Sequence, residues 1–199
     1  MEKGYLHLKQ AIPKDIISEV RHRLIELKYK YDDKVGQPRH NGSGTFWEGL
    51  ELASTFDPNL WKYYTADFMF NIVKSIIPTP YLFNDQAVVK LPNSGLKFDA
   101  HYDNQFGPDP EGALRGDFKT INCSWILTNM NEDNGCLYID DKPIIAKAGD
   151  IVIIDGNTTH YSGENKTNGT RVLYACVYAS KPLGKDFNQG YYYEQFPNK

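Results

Sequence analysis

The chain has 199 residues, of which 41% are hydrophobic and 24% charged, and its formal net charge is −3. That length can bury a core of its own, and that composition excludes a disordered or fibrous chain. The mild acidity argues against a general nucleic-acid binder, and no run approaches the roughly 20 apolar residues that a membrane span needs.

Cys123, Cys136 and Cys176 form no CxxC pair, which fits buried thiols in a reducing compartment. The opening Met1-Glu-Lys-Gly-Tyr-Leu-His lacks the apolar stretch of a secretion signal, so the expected location is the cytoplasm.

Residues 4–9 alternate like an opening strand. Pro13-Lys14-Asp15 starts a helix, and Ile16, Ile17, Val20, Leu24, Ile25 and Leu27 carry it at helical spacing to about Tyr31. The Gly-rich, polar stretch Arg39–Trp47 has the length of a mobile loop that closes as a lid. A second helix is expected from Asp57-Pro58 to Ile77, with Leu60, Tyr63, Tyr64, Phe68, Val73 and Ile76 on its buried side and Pro78 and Pro80 stopping it. From Tyr81 the texture changes to short β-like runs: Gln86–Leu91, Lys97–Tyr102, Thr120–Met130, Gly135–Ile139, Ile144–Lys147, Ile151–Ile154 and Arg171–Ala179. Gly107–Gly112 reads as a surface loop, and the aromatic tail Tyr191–Tyr193 as packing. The expected fold is mainly β with flanking α: one domain over 1–199, in which a double-stranded β-helix (jelly-roll) of about 81–180 is braced by helices within about 1–80.

The chemistry gathers at His101-Tyr102-Asp103. In an extended strand, residues two apart face the same way, so an imidazole and a carboxylate aim at one point. Such a pair needs a third ligand, and His160 in Gly156-Asn-Thr-Thr-His160 is the one later histidine. Two His and one carboxylate leave coordination positions open, as in non-haem Fe(II) oxygenases. Arg171 follows and has the fork that grips a carboxylate. Tyr102, Trp47, Arg115 and Trp125 are candidate substrate contacts. His7, His22 and His40 have no partners at ligand spacing and are expected at the surface.

In order, the chain shows Pro92-Asn-Ser-Gly95, His101-x-Asp103-Asn104, Ser124-Trp-Ile-Leu-Thr, Asn134-Gly135-Cys-Leu-Tyr-Ile, Ala148-Gly149-Asp150 before an apolar run, His160 and Arg171. This series resembles the Fe(II)/2-oxoglutarate-dependent dioxygenase superfamily, over residues 86–179 above all. Prolyl-4-hydroxylase-like and phytanoyl-CoA dioxygenase-like enzymes are both similar to it. Two features depart from those patterns: Ile139-Asp-Asp-Lys-Pro stands where phytanoyl-type relatives carry Pro-Gly-Ser-His, and Leu91 where prolyl hydroxylases often have Tyr.

The resemblance implies Fe(II) held by His101, Asp103 and His160. It implies 2-oxoglutarate paired through its distal carboxylate with Arg171, with Ser162 and Asn122 assisting, and O2 as the second cosubstrate. The implied reaction hydroxylates a C–H bond and releases succinate and carbon dioxide; Asp103 favours hydroxylation over halogenation, for which relatives replace that carboxylate. The expected substrate is a small metabolite or amino acid, with modification of a peptide or protein side chain such as proline as the alternative. Neither nucleic acid nor membrane is expected as a partner. A ligand-binding jelly-roll without catalysis, and a cupin-type metalloenzyme, are the readings from other classes.

Overall fold

The computed structural model describes residues 1, 3–31, 49–51, 53–95, 97–106 and 118–181. The expected lid Arg39–Trp47, the loop 107–112, the tail, His40 and the helix stop at 32–38 lie outside them.

The amino-terminal strand β1 (Tyr5–Leu8) is followed by helix α1 (Lys14–Lys30). The helix begins after Pro13, carries Asp15 in its first turn and Lys28 and Lys30 in its last, and so suits its own dipole. Its buried side is Val20, Leu24 and Leu27, the spacing read from the sequence. A short strand β2 (Gly49–Glu51) and one-turn helix α2 (Ala53–Phe56) follow, neither of which the sequence pattern signalled.

The expected second helix is broken into pieces. A 3-10 turn at Pro58–Leu60 leads into α3 (Trp61–Tyr64) and then α4 (Asp67–Lys74). The break has a local cause: Thr65 folds its hydroxyl back onto Trp61 O at 2.8 Å, and Ala66 is extended with ψ 143°.

The β region is β3 (Tyr81–Lys90), β4 (Phe98–His101), β5 (Thr120–Ile126), β6 (Leu137–Ile139), β7 (Lys142–Ile144), β8 (Ile151–Asp155), β9 (His160–Ser162) and β10 (Arg171–Ala179). A six-stranded sheet runs β1-β8-β5-β10-β3-β2 and a four-stranded sheet runs β4-β9-β6-β7. The fold is mainly β, a jelly-roll with helices on one sheet. β5 and β10 are buried along their whole length. One apolar core, including Val20, Leu24, Tyr64, Met69, Cys123, Trp125, Tyr174 and Tyr178, lies between the large sheet and the helices. A second, including Phe98, Ile126, Leu137, Val152 and Leu173, lies between the two sheets.

Residue 7 differs from expectation. His7 Nε2 is 2.9 Å from Asp150 Oδ2. Asp150 also accepts bonds from the backbone N–H groups of Gln10 and Lys147. The carboxylate therefore pins β1 to the Gly149-Asp150 turn. Burial works against its charge, yet these donors hold its pKa down to about 2.

Candidate functional site

The four-stranded sheet supplies both histidines. β4 pairs with β9 so that His101 lies opposite His160, after a register shift from the Phe98–Ser162 pair. Their rings are 4.4 Å apart, and the two residues are 8% and 4% exposed. Each Nδ1 faces a backbone carbonyl two residues back, His101 to Asp99 O at 2.7 Å and His160 to Thr158 O at 3.0 Å. A carbonyl only accepts, so each Nδ1 carries a proton, and in the neutral imidazole that leaves the Nε2 lone pair for an ion. Burial, then the neighbouring His160, holds the His101 pKa below its ordinary value, while Asp103 pulls the other way.

Asp103 reaches the same point by a different route from the one expected. β4 stops at His101, and Asp103 opens a 3-10 turn, Asp103–Phe106. Tertiary bonds set that turn. Asn104 N donates to Gly156 O at 2.9 Å, and the buried Asn104 side chain bonds both Asn157 and Thr120. A Cβ at Gly156 would lie 1.8 Å from Thr120 Oγ1, so glycine is what allows this close approach. Asn104 was visible in the motif, but nothing in the sequence assigned it this task.

Asp103 Oδ1 lies 3.7 Å from His101 Nε2 and 3.8 Å from His160 Nε2, and the three ligand atoms all fall within 4.8 Å of one another. They are too far apart to hydrogen-bond and close enough to share an ion. Asn122 Nδ2 donates to Asp103 Oδ2 at 3.0 Å, and Ser124 Oγ donates to Asn122 Oδ1 at 3.0 Å. Asn122, expected near the cosubstrate, lines the cavity and is bonded to the carboxylate, whose other oxygen, Asp103 Oδ1, faces the imidazoles. Two neutral imidazoles and one carboxylate oxygen suit a divalent ion with open positions.

A cavity extends from this triad between the sheets, lined by Val88, Phe98, Leu137, Leu173, Ser162 and Arg171 among others. Arg171 is 1% exposed, and its Nη2 donates to Gly135 O at 2.6 Å. Gly135 has φ +78°, and a Cβ there would meet Gly163 O at 2.5 Å, so the Asn-Gly motif forms the seat of the guanidinium. Ser162 Oγ is buried and has no hydrogen-bond partner among the described residues. A buried cation beside an unsatisfied hydroxyl fits an anion such as a carboxylate.

The substrate candidates fare differently. Trp125 is displaced: it lies on the opposite face of β5 from Asn122 and Ser124, fully buried, with Nε1 3.2 Å from Met69 Sδ and its ring against Phe68. Strand alternation puts it there once Asn122 and Ser124 face the cavity; β5 is buried on both sides, so its hydrophobicity did not say which face was which. Tyr102 is half-buried and does not line the cavity. Trp47 and Arg115 lie outside the described residues.

A family model described as phytanoyl-CoA dioxygenase (PhyH) matches residues 1–139 and 142–173. The two residues it skips, Asp140 and Asp141, both have positive φ and form the β6–β7 turn. A phytanoyl-CoA dioxygenase from Arabidopsis thaliana is 23% identical, over 87% of this chain and 83% of its own length. Among solved structures, the non-heme alpha ketoglutarate dependent carbocyclase SnoK from nogalamycin biosynthesis aligns with TM-score 0.75 at 16% identity, covering 100% of this chain and 90% of that one. EctD from S. alaskensis aligns with TM-score 0.74 at 17% identity, covering 93% and 76%. These structural likenesses establish a shared fold.

Proposed function

We propose a function on one premise: this chain belongs to the phytanoyl-CoA dioxygenase family. It is a dioxygenase by family. The reading is an iron(II)- and 2-oxoglutarate-dependent oxygenase that hydroxylates a C–H bond of a small metabolite or amino acid. One observation carries it. His101, Asp103 and His160 converge, with both Nδ1 atoms on backbone carbonyls and both Nε2 atoms near Asp103 Oδ1, in a cavity that also holds the buried Arg171.

In this reading His101, Asp103 and His160 hold iron(II). With 2-oxoglutarate, the iron supplies oxygen activation coupled to decarboxylation of the cosubstrate to succinate and carbon dioxide. Arg171 pairs with the distal carboxylate of 2-oxoglutarate, and Ser162 donates its otherwise unused hydroxyl. Asn122 fixes the Asp103 carboxylate so that one oxygen faces the ion. Phe98, Leu137, Val88 and Leu173 keep bulk water from the cosubstrate. The intact Asp103 leaves no ligand vacancy for a halide, which supports hydroxylation.

The test is succinate release from the iron(II)-loaded protein given 2-oxoglutarate and a panel of amino acids, nucleosides, acyl groups and proline peptides. The reading expects 2-oxoglutarate consumption that needs iron and disappears in Arg171→Ala. Iron-independent consumption, or an Arg171→Ala variant as active as the parent, would sink it. Stimulation by peptides alone would move the substrate to a protein side chain.

A further inference from the structure

Strand β3 changes face near its start. Asn84, Gln86 and Val88 line the cavity, while Ala87 and Val89 belong to the helix-side core. Strict alternation would send Phe83 toward the helices and Leu82 toward the cavity. The reverse is found: Leu82 lies in the helix-side core and Phe83 lines the cavity. The cause is a register shift. Val177 pairs with Asn84 but Tyr178 pairs with Leu82, so Phe83 is an extra residue in a β-bulge.

A side chain on the opposite face braces that bulge. The Tyr64 hydroxyl sits 2.7 Å from Asn84 O and 2.5 Å from Val177 O and shares its one proton between them, the two carbonyls of the pair at which the register changes. Tyr64 is itself locked: its carbonyl accepts from the Tyr178 hydroxyl at 2.8 Å, and the two rings meet edge-on at 5.0 Å. The product of the distortion is an apolar wall of Phe83, Val177 and Ala179, with Phe118 packed against it. Val177 is the cross-strand partner of Asn122, the residue bonded to Asp103, so the wall stands at the metal end of the cavity. Arg171 begins the same strand, β10, its backbone about 20 Å from that of Val177 at extended spacing, and its long side chain reaches back into the same cavity.

We infer that Phe83 is a specificity-determining wall of the substrate subsite, shaped for an uncharged apolar part of the substrate, and that Tyr64 is the positioning residue that turns it into the cavity. The assignment to substrate rests on the oxygenase reading; the orientation of Phe83 does not.

Cysteine placed singly at the two positions reads the orientation directly. Cys123, Cys136 and Cys176 are buried and form a quiet background. In the folded protein, Phe83→Cys is expected to react with iodoacetamide about tenfold faster than Leu82→Cys, because only the first thiol faces the cavity. Adding Tyr64→Phe, which keeps the ring and deletes the hydroxyl, should cut that ratio to about threefold or less as the bulge loosens. Equal rates in the parent, or a ratio that Tyr64→Phe leaves alone, overturn the inference. Should Tyr64→Phe not fold, Tyr178→Phe takes its place, and an unmoved ratio there is equally fatal.

The wall itself is read with cyclohexanol as a neutral apolar probe, by saturation-transfer NMR on protein loaded with zinc and 2-oxoglutarate. Binding is expected, about tenfold weaker in Phe83→Ala. No binding, or the same Kd in Phe83→Ala, removes the specificity role. Calorimetry of zinc and 2-oxoglutarate alone tests the oxygenase reading separately: its failure there leaves the labelling ratio readable.

Discussion

On β5, Asn122 and Ser124 point into the cavity while Cys123 and Trp125 point at the helices. On β10, Arg171, Leu173, Ala175 and Val177 line the cavity while Val172, Tyr174, Cys176 and Tyr178 pack the other way. The cavity face mixes polar groups such as Asn122, Ser124 and Arg171 with Leu173, Ala175 and Val177 around an opening; the helix face of these two strands is filled with aromatic, aliphatic and thiol side chains. Neighbouring residues on one strand therefore serve opposite ends, one set chemistry and the other stability. The faces also handle buried acids differently. Asp103, at the cavity, is held by an amide and faces two imidazoles. Asp85, on the helix face, is fully buried among Ser54 and Tyr174 donors, and burial pushes its pKa up to about 6 despite them.

The division breaks most visibly at His160. His160→Ala should reduce iron-dependent succinate release to background, a larger loss than the ~10–100-fold typical of losing an outer partner of a metal ligand. Its thermal midpoint should stay close to the parent's. A large fall in Tm would mean the cavity face carries stability too.

Trp125→Ala is the mirror experiment. Removing this ring from beneath Phe68 and Met69 should cost about 3–5 kcal/mol in urea unfolding, while the folded fraction keeps its affinity for 2-oxoglutarate. Lost affinity with intact stability would return Trp125 to the substrate side.

The two acids sharpen the contrast through pH. Asp85 has a folded pKa above its unfolded one, so the stability it contributes is full below about pH 4 and is lost as pH rises through about 6. Asp150 has a depressed folded pKa, so its contribution is present above about pH 4 and lost as pH falls through about 2. The stability difference between the parent and Asp85→Asn should therefore shift by on the order of 1–3 kcal/mol against the parent between pH 4 and pH 7. A pH-independent difference in urea midpoints contradicts this account of Asp85.

An effect of similar size belongs to Asn122, on the cavity face. Asn122→Ala frees Asp103 Oδ2 without touching a ligand, so metal affinity should fall by about 10–100-fold with little change in stability. An unchanged metal Kd by competition titration would make the Asn122–Asp103 bond incidental.

Much of this architecture was legible in the residues. The apolar spacing of α1, the whole of β10 from Arg171 to Ala179, and the helices-then-strands order that names the fold class follow from local pattern, because each depends on neighbours in sequence. The long helix expected over 57–77 was not there to be read, since a single hydroxyl at Thr65 and an extended Ala66 cut it. For the site, the order of motifs placed His101, Asp103, His160 and Arg171 in one account. It did not reveal that Asn122 would serve Asp103, that Asn104 would lock the turn, or that Trp125 would fall behind the sheet.

By itself, then, the amino-acid order determined which residue types could meet: two imidazoles, a carboxylate and a guanidinium, each beside the turn or strand that carries it. Only the folded structure decided which face each strand offers. β5 and β10 are buried on both sides, so their hydrophobicity carries no inside–outside signal. Faces there are assigned by cross-strand register, by the bulge at Phe83 and by bonds between residues far apart in the chain, and none of these is a property of a local run of sequence.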